Sequence, residues 1–256
     1  NSILSSVIHD FNSIYQNTVR QTFQNVYFNV KGIFKLNKIN FRPEAKLGVL
    51  GYNAGDYSIH GVALTSLNNS KISGGFLLQK VEPTFMQQEF RSNAVQWKND
   101  FSKISVNQLH GTVSTSLINH SLEIGITAEK TNGIIFYQDE NQIAQYNDDL
   151  SWLRAIISHH FTHDNFGSDL NLTFQKACSQ GGGGGVYTAI SGNVYTQFRL
   201  FQKNLKVQLG VRSFWFSSFN SPKYNPYTRA WHNTNQSFES TPPIQVYTNA
   251  QVKSFC

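Results

Sequence analysis

His159, His160, His163 and Asp164 form the densest group of ligand-type side chains in the chain. A metal centre needs three or four ligands converging on one point, backed by a supporting shell. On an extended chain His159 and His163 share a face while His160 points away, so at most two rings converge, with Asp164 beyond the turn. The spacing therefore predicts a rim or a polar turn, and no metal site. Asp148 with Asp149, and Asp139 with Glu140, are the nearest approach to paired carboxylates for glycoside hydrolysis, yet adjacent residues on a strand diverge. Gly181 to Gly185 lacks the Lys-Ser/Thr of a phosphate loop and precedes a strand, which supplies no helix N-terminus for an anion; it reads as an exposed loop. Cys178 and Cys256 show no Cys-x-x-Cys spacing and have no histidine neighbour, and the chain has no Gly-x-Ser-x-Gly elbow. Neither enzymatic chemistry nor a cofactor is expected.

The elements that would carry any site are strands. Of 256 residues, 39% are apolar and 14% aromatic, while only 14% are charged, against about a quarter in ordinary soluble domains. Polarity comes from Asn, Gln, Ser and Thr, a mixture that suits pleated strands. The net charge of +6 is spread over single Lys and Arg residues that never cluster along a phosphate track, so nucleic acid is not an expected partner. Period-two alternation recurs along the chain, and only a strand places alternate residues on opposite faces. Leu205, Val207, Leu209, Val211 and Trp215 oppose Lys206, Gln208, Gly210 and Arg212. Val194, Thr196, Phe198 and Leu200 oppose Asn193, Tyr195, Gln197 and Arg199. Ile244, Val246, Thr248, Ala250 and Val252 oppose Gln245, Tyr247, Asn249, Gln251 and Lys253. Turn residues separate such runs at 53–56, 68–70, 131–133, 163–165 and 202–204. Strand plus turn takes about 18–20 residues, which predicts roughly 12–14 antiparallel strands in one domain over 1–256 and excludes an α/β fold. Residues 1–23 fit a helical stripe and a first strand equally well.

An apolar face on such strands is covered either by a second sheet, as in a secreted sandwich, or by lipid around a barrel. Two details favour lipid. Runs of about ten residues suit a tilted crossing of a bilayer better than the usual soluble strand of five or six. Aromatic residues also gather at run ends, at Trp215, Phe216 and Phe219 and at Phe198 and Phe201, where an interfacial girdle would lie.

Several segments resemble, in order, the putative β-barrel porin family of Bacteroidota outer membranes. They are Asn53-Ala54-Gly55-Asp56-Tyr57, Pro83-Thr84-Phe85, Phe90-Arg91-Ser92-Asn93 and Trp97-Lys98-Asn99-Asp100-Phe101. Further on come Ser191-Gly192-Asn193-Val194-Tyr195 through Leu200-Phe201, Leu205 to Val211, Tyr224-Asn225-Pro226 and Pro243 to Lys253. The resemblance implies a passive diffusion channel in the outer membrane of a Gram-negative cell. Family members are usually longer at the amino end and continue with further strands after the segment ending near Lys253. This implies a piece of a larger barrel or a shortened relative.

With the apolar residues Val207, Leu209, Val211, Val246 and Val252 turned to lipid, the expected lumen wall carries Lys206, Gln208, Arg212, Gln197, Arg199, Gln245, Asn249 and Lys253. Glu123 and Glu129 on an earlier strand oppose its positive charge, so a slight preference for anions is expected. The expected partner is outer-membrane lipid, with other outer-membrane or periplasmic envelope proteins as further candidates. Two rival readings are a non-conducting barrel that docks other subunits, and a secreted ligand-binding β-sandwich.

Overall fold

The computed structural model describes residues 1–16, 19–92, 95–138, 142–177, 186–202, 204–220, 222–225, 230–232, 234 and 236–252, with backbone only at 11–16, 19–21 and 230. In chain order, β1 (Ser2–Gln16), β2 (Val19–Leu36), β3 (Ile39–Leu50), β4 (Tyr57–Leu67) and β5 (Ser70–Val81) precede the short helix α1 (Phe85–Gln88) and a ribbon of β6 (Glu89–Arg91) and β7 (Gln96–Lys98). Then come β8 (Ile104–Leu117), β9 (His120–Asn132), a second ribbon of β10 (Ile134–Tyr137) and β11 (Ile143–Tyr146), β12 (Leu150–His163), β13 (Phe166–Ala177), β14 (Val186–Leu200) and β15 (Leu205–Phe216). The short strands β16 (Phe219–Asn220), β17 (Lys223–Asn225), β18 (Ala230–His232) and β19 (Ser237–Phe238) lead to β20 (Ile244–Val252).

Twelve of these strands form one antiparallel sheet in the order β1-β2-β3-β4-β5-β8-β9-β12-β13-β14-β15-β20, so each long strand pairs with the next long strand in sequence. The other eight form two-stranded ribbons within the connections. Residues 2–16, equally compatible with a helix by their periodicity, are strand: β1 pairs with β2 along its whole length, from Ser2 opposite Ile33 to Gln16 opposite Val19. A ladder to a partner strand satisfies every second backbone group on that side, and this tertiary pairing overrides a weak local preference.

The sheet's two ends differ. Two-residue turns join β2 to β3, β4 to β5, β8 to β9 and β12 to β13. In three of them Asn37, Asn68 and Asp164 take left-handed φ values of 55°, 50° and 49°, a conformation that short Asn and Asp side chains tolerate better than most. The connections at the opposite end, 51–56, 82–103, 133–149 and 217–243, are longer and carry α1 and the ribbons.

Among the described residues β1 pairs only with β2, and β20 only with β15. The sheet therefore has two free edges and does not close on itself as a cylinder. Its apolar face is bare: Val246 is 80% exposed and Leu109 66%. Most of the buried apolar side chains lie among the longer connections, at Pro83, Phe90, Val95 and Ile143, with Leu150 at the start of β12 and Tyr195 within β14.

Candidate functional site: the polar face and its mouth

The ladder decides which side chains share a face. Opposite residues of an antiparallel pair lie on the same side, so Arg199 faces Lys206, Gln197 faces Gln208, Gln245 faces Arg212 and Asn249 faces Gln208 on a single wall. Following the pairs from Arg212 through Asn193, Asp169 and His160 to β12, then from Ser158 to Glu123, brings Glu123 and Glu129 to that wall as well. Lys253 lies outside the described residues. The opposite face carries Val207, Leu209, Val211, Val246 and Val252, with Val211 set between Val194 and Val246. Phe216 departs from the girdle expected at the run end: it pairs with Ala189 and has the parity of Arg212, so it stands on the polar wall, while Trp215 keeps the apolar side.

Side chains on the polar wall are joined in a chain of hydrogen bonds with members on five strands. Asp169 Oδ1 lies 2.5 Å from His160 Nδ1, and Asp169 Oδ2 accepts from Asn193 Nδ2 at 2.9 Å. Tyr247 Oη donates to Asn193 Oδ1 at 2.9 Å, and Gln208 bonds the same hydroxyl at 3.3 Å while accepting from Asn249. Tyr247 sits on β20 and Asn193 on β14, with β15 between them. The reach is open because Gly210 has no side chain: a Cβ there would lie 2.5 Å from the Tyr247 ring. Tyr195 covers Gly167 in the same way. At one edge Arg212 Nε donates to Gln245 Oε1 at 2.8 Å.

These groups border a cavity of about 990 Å³ lined from β9, β12, β13, β14, β15 and β20. Six neighbouring strands of one sheet can line a single half-open cavity only if the sheet curves, so the polar face is the concave one. The wall expected from sequence did not include His160, Asp169, Asn193 or Tyr247. The signal is present in the alternation: Asn193 and Tyr247 lie on the polar half of their runs, and Asp169 and Asn171 alternate with Leu170 and Leu172.

The histidine group divides between the two faces. His160 is on the polar wall with Asp169, whereas His159 turns to the apolar side against His120, with ring nitrogens 3.1 Å apart. His163 meets Asp164 at 3.4 Å. Among the described residues no three His, Cys, Asp or Glu side chains could hold one metal ion. Asp149 is paired with Lys130 at 2.6 Å. Asp139, Glu140, Cys178, Cys256 and Gly181 to Gly185 lie outside the described residues.

At the end with longer connections, the polar side is overhung by folded loops. Asp56, only 5% exposed, accepts from Glu82 N–H at 2.9 Å, from Asn53 Nδ2 at 2.7 Å and from Lys103 Nζ at 2.6 Å, which ties residues 51–56 to residues 82–103. Lys103 also donates to Ala54 O at 2.8 Å and lies 3.6 Å from Glu82. Trp97 stacks on Phe90 at 4.6 Å and donates Nε1–H to Met86 O, while Gln145 bonds Ser102 and Gly133. Phe85 packs on Phe23 at 4.7 Å, and Tyr52 packs on Phe23 at 5.5 Å. Phe23 has the parity of Asn25 and Asn29, so these rings lean over the polar wall.

Tyr52, in the hairpin connection outside the strands, donates to Pro83 O at 2.7 Å. Burial, aided by the negative charges of Glu82 and Asp56, pushes its phenol from 10.0 up to about 12. Its folded-state value is above the unfolded one, so the stability it contributes is complete below pH 10.0 and falls away as pH rises to about 12. An ultraviolet titration of the folded protein is expected to lose one late-ionising phenol in Tyr52→Phe. An identical curve for the two proteins would contradict this.

The class these features define is an antiparallel all-β protein built on one curved sheet, polar inside the curve and apolar outside. The chain matches the family described as "Putative porin" over residues 4–255 and belongs to that family. No curated protein matches it. Among solved structures it is similar to OmpT (in-vitro folded), an outer membrane protein of Vibrio cholerae, at 7% identity and a TM-score of 0.39, covering 97% of this chain and 94% of that one.

Proposed function

We propose that the protein is an outer-membrane pore through which small solutes diffuse passively. The observation that carries this reading is the sheet's division into a concave wall of Asn, Gln, Ser, Tyr and scattered charges, and a bare convex face of Leu, Ile, Val and Phe. Membership of a porin family supports it. A secreted sandwich would need a second sheet against the convex face, and the described residues supply only two-stranded ribbons besides the main sheet. Acyl chains are the cover that suits it.

In hydrocarbon an unpaired strand edge leaves backbone groups unsatisfied at several kcal/mol each, so the two edges of this sheet are joined to something in the membrane. β1 runs from the short-turn end to the long-connection end and β20 runs back, so the two would meet antiparallel. Bacterial barrels carry short turns on the periplasmic side and longer loops outside, which orients the folded mouth outward. The reading involves no covalent chemistry, and lipid is the partner surface.

Arg199 and Lys206 stand directly opposite one another on the polar wall. Glu129 accepts from Gln108 and Thr131 at 3.0 Å each, which ties down part of the opposing charge. The pore therefore favours anions weakly. In planar bilayers the protein is expected to give stepwise conductance, with a reversal potential in a salt gradient that indicates slight anion preference. The double variant Arg199→Glu, Lys206→Glu is expected to reverse its sign. An insulating protein that copurifies with envelope partners would point instead to a docking barrel.

A further inference from the structure

We propose that the polar wall binds neutral oligosaccharides along a track of aromatic rings that ends in the hydrogen-bonded cavity. This deepens the pore reading and rests on it. Two independent features meet on one face. The first is a strip of rings. Phe214 and Phe216 share the parity of Arg212; their rings lie 6.3 Å apart and within 12° of parallel. Phe216 continues to Phe238 at 5.8 Å and 18°, and to Phe219 at 5.5 Å, both on the long-connection side. Phe214 on the polar wall is 44% exposed and Phe238, in the connection beyond it, 51%, so both rings are open to a ligand. Exposed rings in a row on a polar concave surface mark a place where apolar ligand surface is received.

The second feature begins where the strip ends. Arg212, Asn193, Tyr247 and Gln208 present donors and acceptors together, and their side chains are already held, Arg212 by Gln245 and the others through Tyr247 and Asp169. Little rotamer freedom remains to be lost when a ligand binds. A sugar ring suits both features, because its C–H face stacks on an aromatic ring and each hydroxyl both donates and accepts. A small anion would need several free cations, whereas among the described residues Arg212 is the one Lys or Arg side chain lining this cavity and Asp169 is engaged by His160 and Asn193. A purely apolar solute would leave the ladder's polar groups unpaired, which disfavours it.

The experiment is single-channel recording of the folded protein with maltotriose, using a polyethylene glycol of matched mass as the inert comparison. Maltotriose is expected to block the current saturably and the polymer is not. Phe214→Ala is expected to raise the half-blocking concentration roughly tenfold, and Tyr247→Phe roughly three- to tenfold, each measured relative to the variant's own open-channel current. Phe214→Trp is expected to retain the block. Heat-dependent gel mobility reports the folding of each variant, and Phe214→Leu replaces Phe214→Ala if the latter does not fold. A conducting pore that maltotriose affects no more than the polymer overturns the track and leaves the pore standing. A protein without conductance overturns the pore; calorimetric titration of the detergent-folded protein with maltotriose then decides the track. Saturable heat weakened by Phe214→Ala upholds it, and no saturable heat overturns it.

Discussion

Replacing Val211 by arginine is expected to weaken folding into phospholipid vesicles by about 2–4 kcal/mol, the cost of a cation at the lipid-facing midplane of a membrane barrel. Val211 lies near the middle of β15 (Leu205–Phe216), between Val194 and Val246, and all three are well exposed on the convex face. In water the same change would be nearly neutral, because substitutions on a solvated surface usually stay within about 0.5 kcal/mol. The effect thus reports which medium wets the convex face. Gln208→Arg, three residues earlier on the concave wall, is the matched control and is expected to cost about 1 kcal/mol, from the bond it accepts from Asn249. Urea titration of both variants in vesicles gives the answer. A Val211→Arg shift no larger than that of Gln208→Arg would remove lipid from the argument.

The second large effect is at the mouth. Asp56→Ala is expected to destabilise the 51–56 and 82–103 connections by about 3 kcal/mol, the low end for breaking a buried ion pair by removing one partner. The low end applies because Lys103 retains Glu82 and Ala54 O and is itself partly in water. Three donors lose their acceptor together: Glu82 N–H, Asn53 Nδ2 and Lys103 Nζ. Asp56→Asn keeps an oxygen for the Glu82 N–H and is expected to cost less. Limited chymotrypsin digestion, read at the aromatic residues of 82–103, is expected to run faster in Asp56→Ala by roughly a hundredfold if cleavage follows local opening. Unchanged digestion would show that these loops are held by the rings at Phe23, Phe85 and Trp97 and not by the carboxylate.

The loop motifs through which the chain resembles its family gain a physical meaning from this network. Asp56 of Gly55-Asp56-Tyr57 accepts the three donors, Pro83 is fully buried and accepts from Tyr52, and Trp97 and Phe101 close the connection between β5 and β8. None of this could be read from spacing. Asp56 and Lys103 are 47 residues apart, and only the return of β8 alongside β5 brings them together.

Alternation along single strands was enough to assign the two faces, because the side-chain period of a strand is two and any register keeps like parity together. The residues named for the wall, Gln197, Arg199, Lys206, Gln208, Arg212, Gln245 and Asn249, share one face for that reason, as do the valines opposite them. Turn chemistry at Asn68 and Asp164 likewise placed hairpins, since few residues accept a positive φ. The sequence by itself thus determined the antiparallel strand class and which side chains go with which side. Tertiary structure alone decided that β1 is a strand, that His160 meets Asp169 while His159 leaves for the other face, and that Tyr247 crosses Gly210 to reach Asn193. Those outcomes depend on which residue of a neighbouring strand stands opposite and on how strongly the sheet curves. Both are set by the sum of many pairings, and no single stretch of chain encodes them.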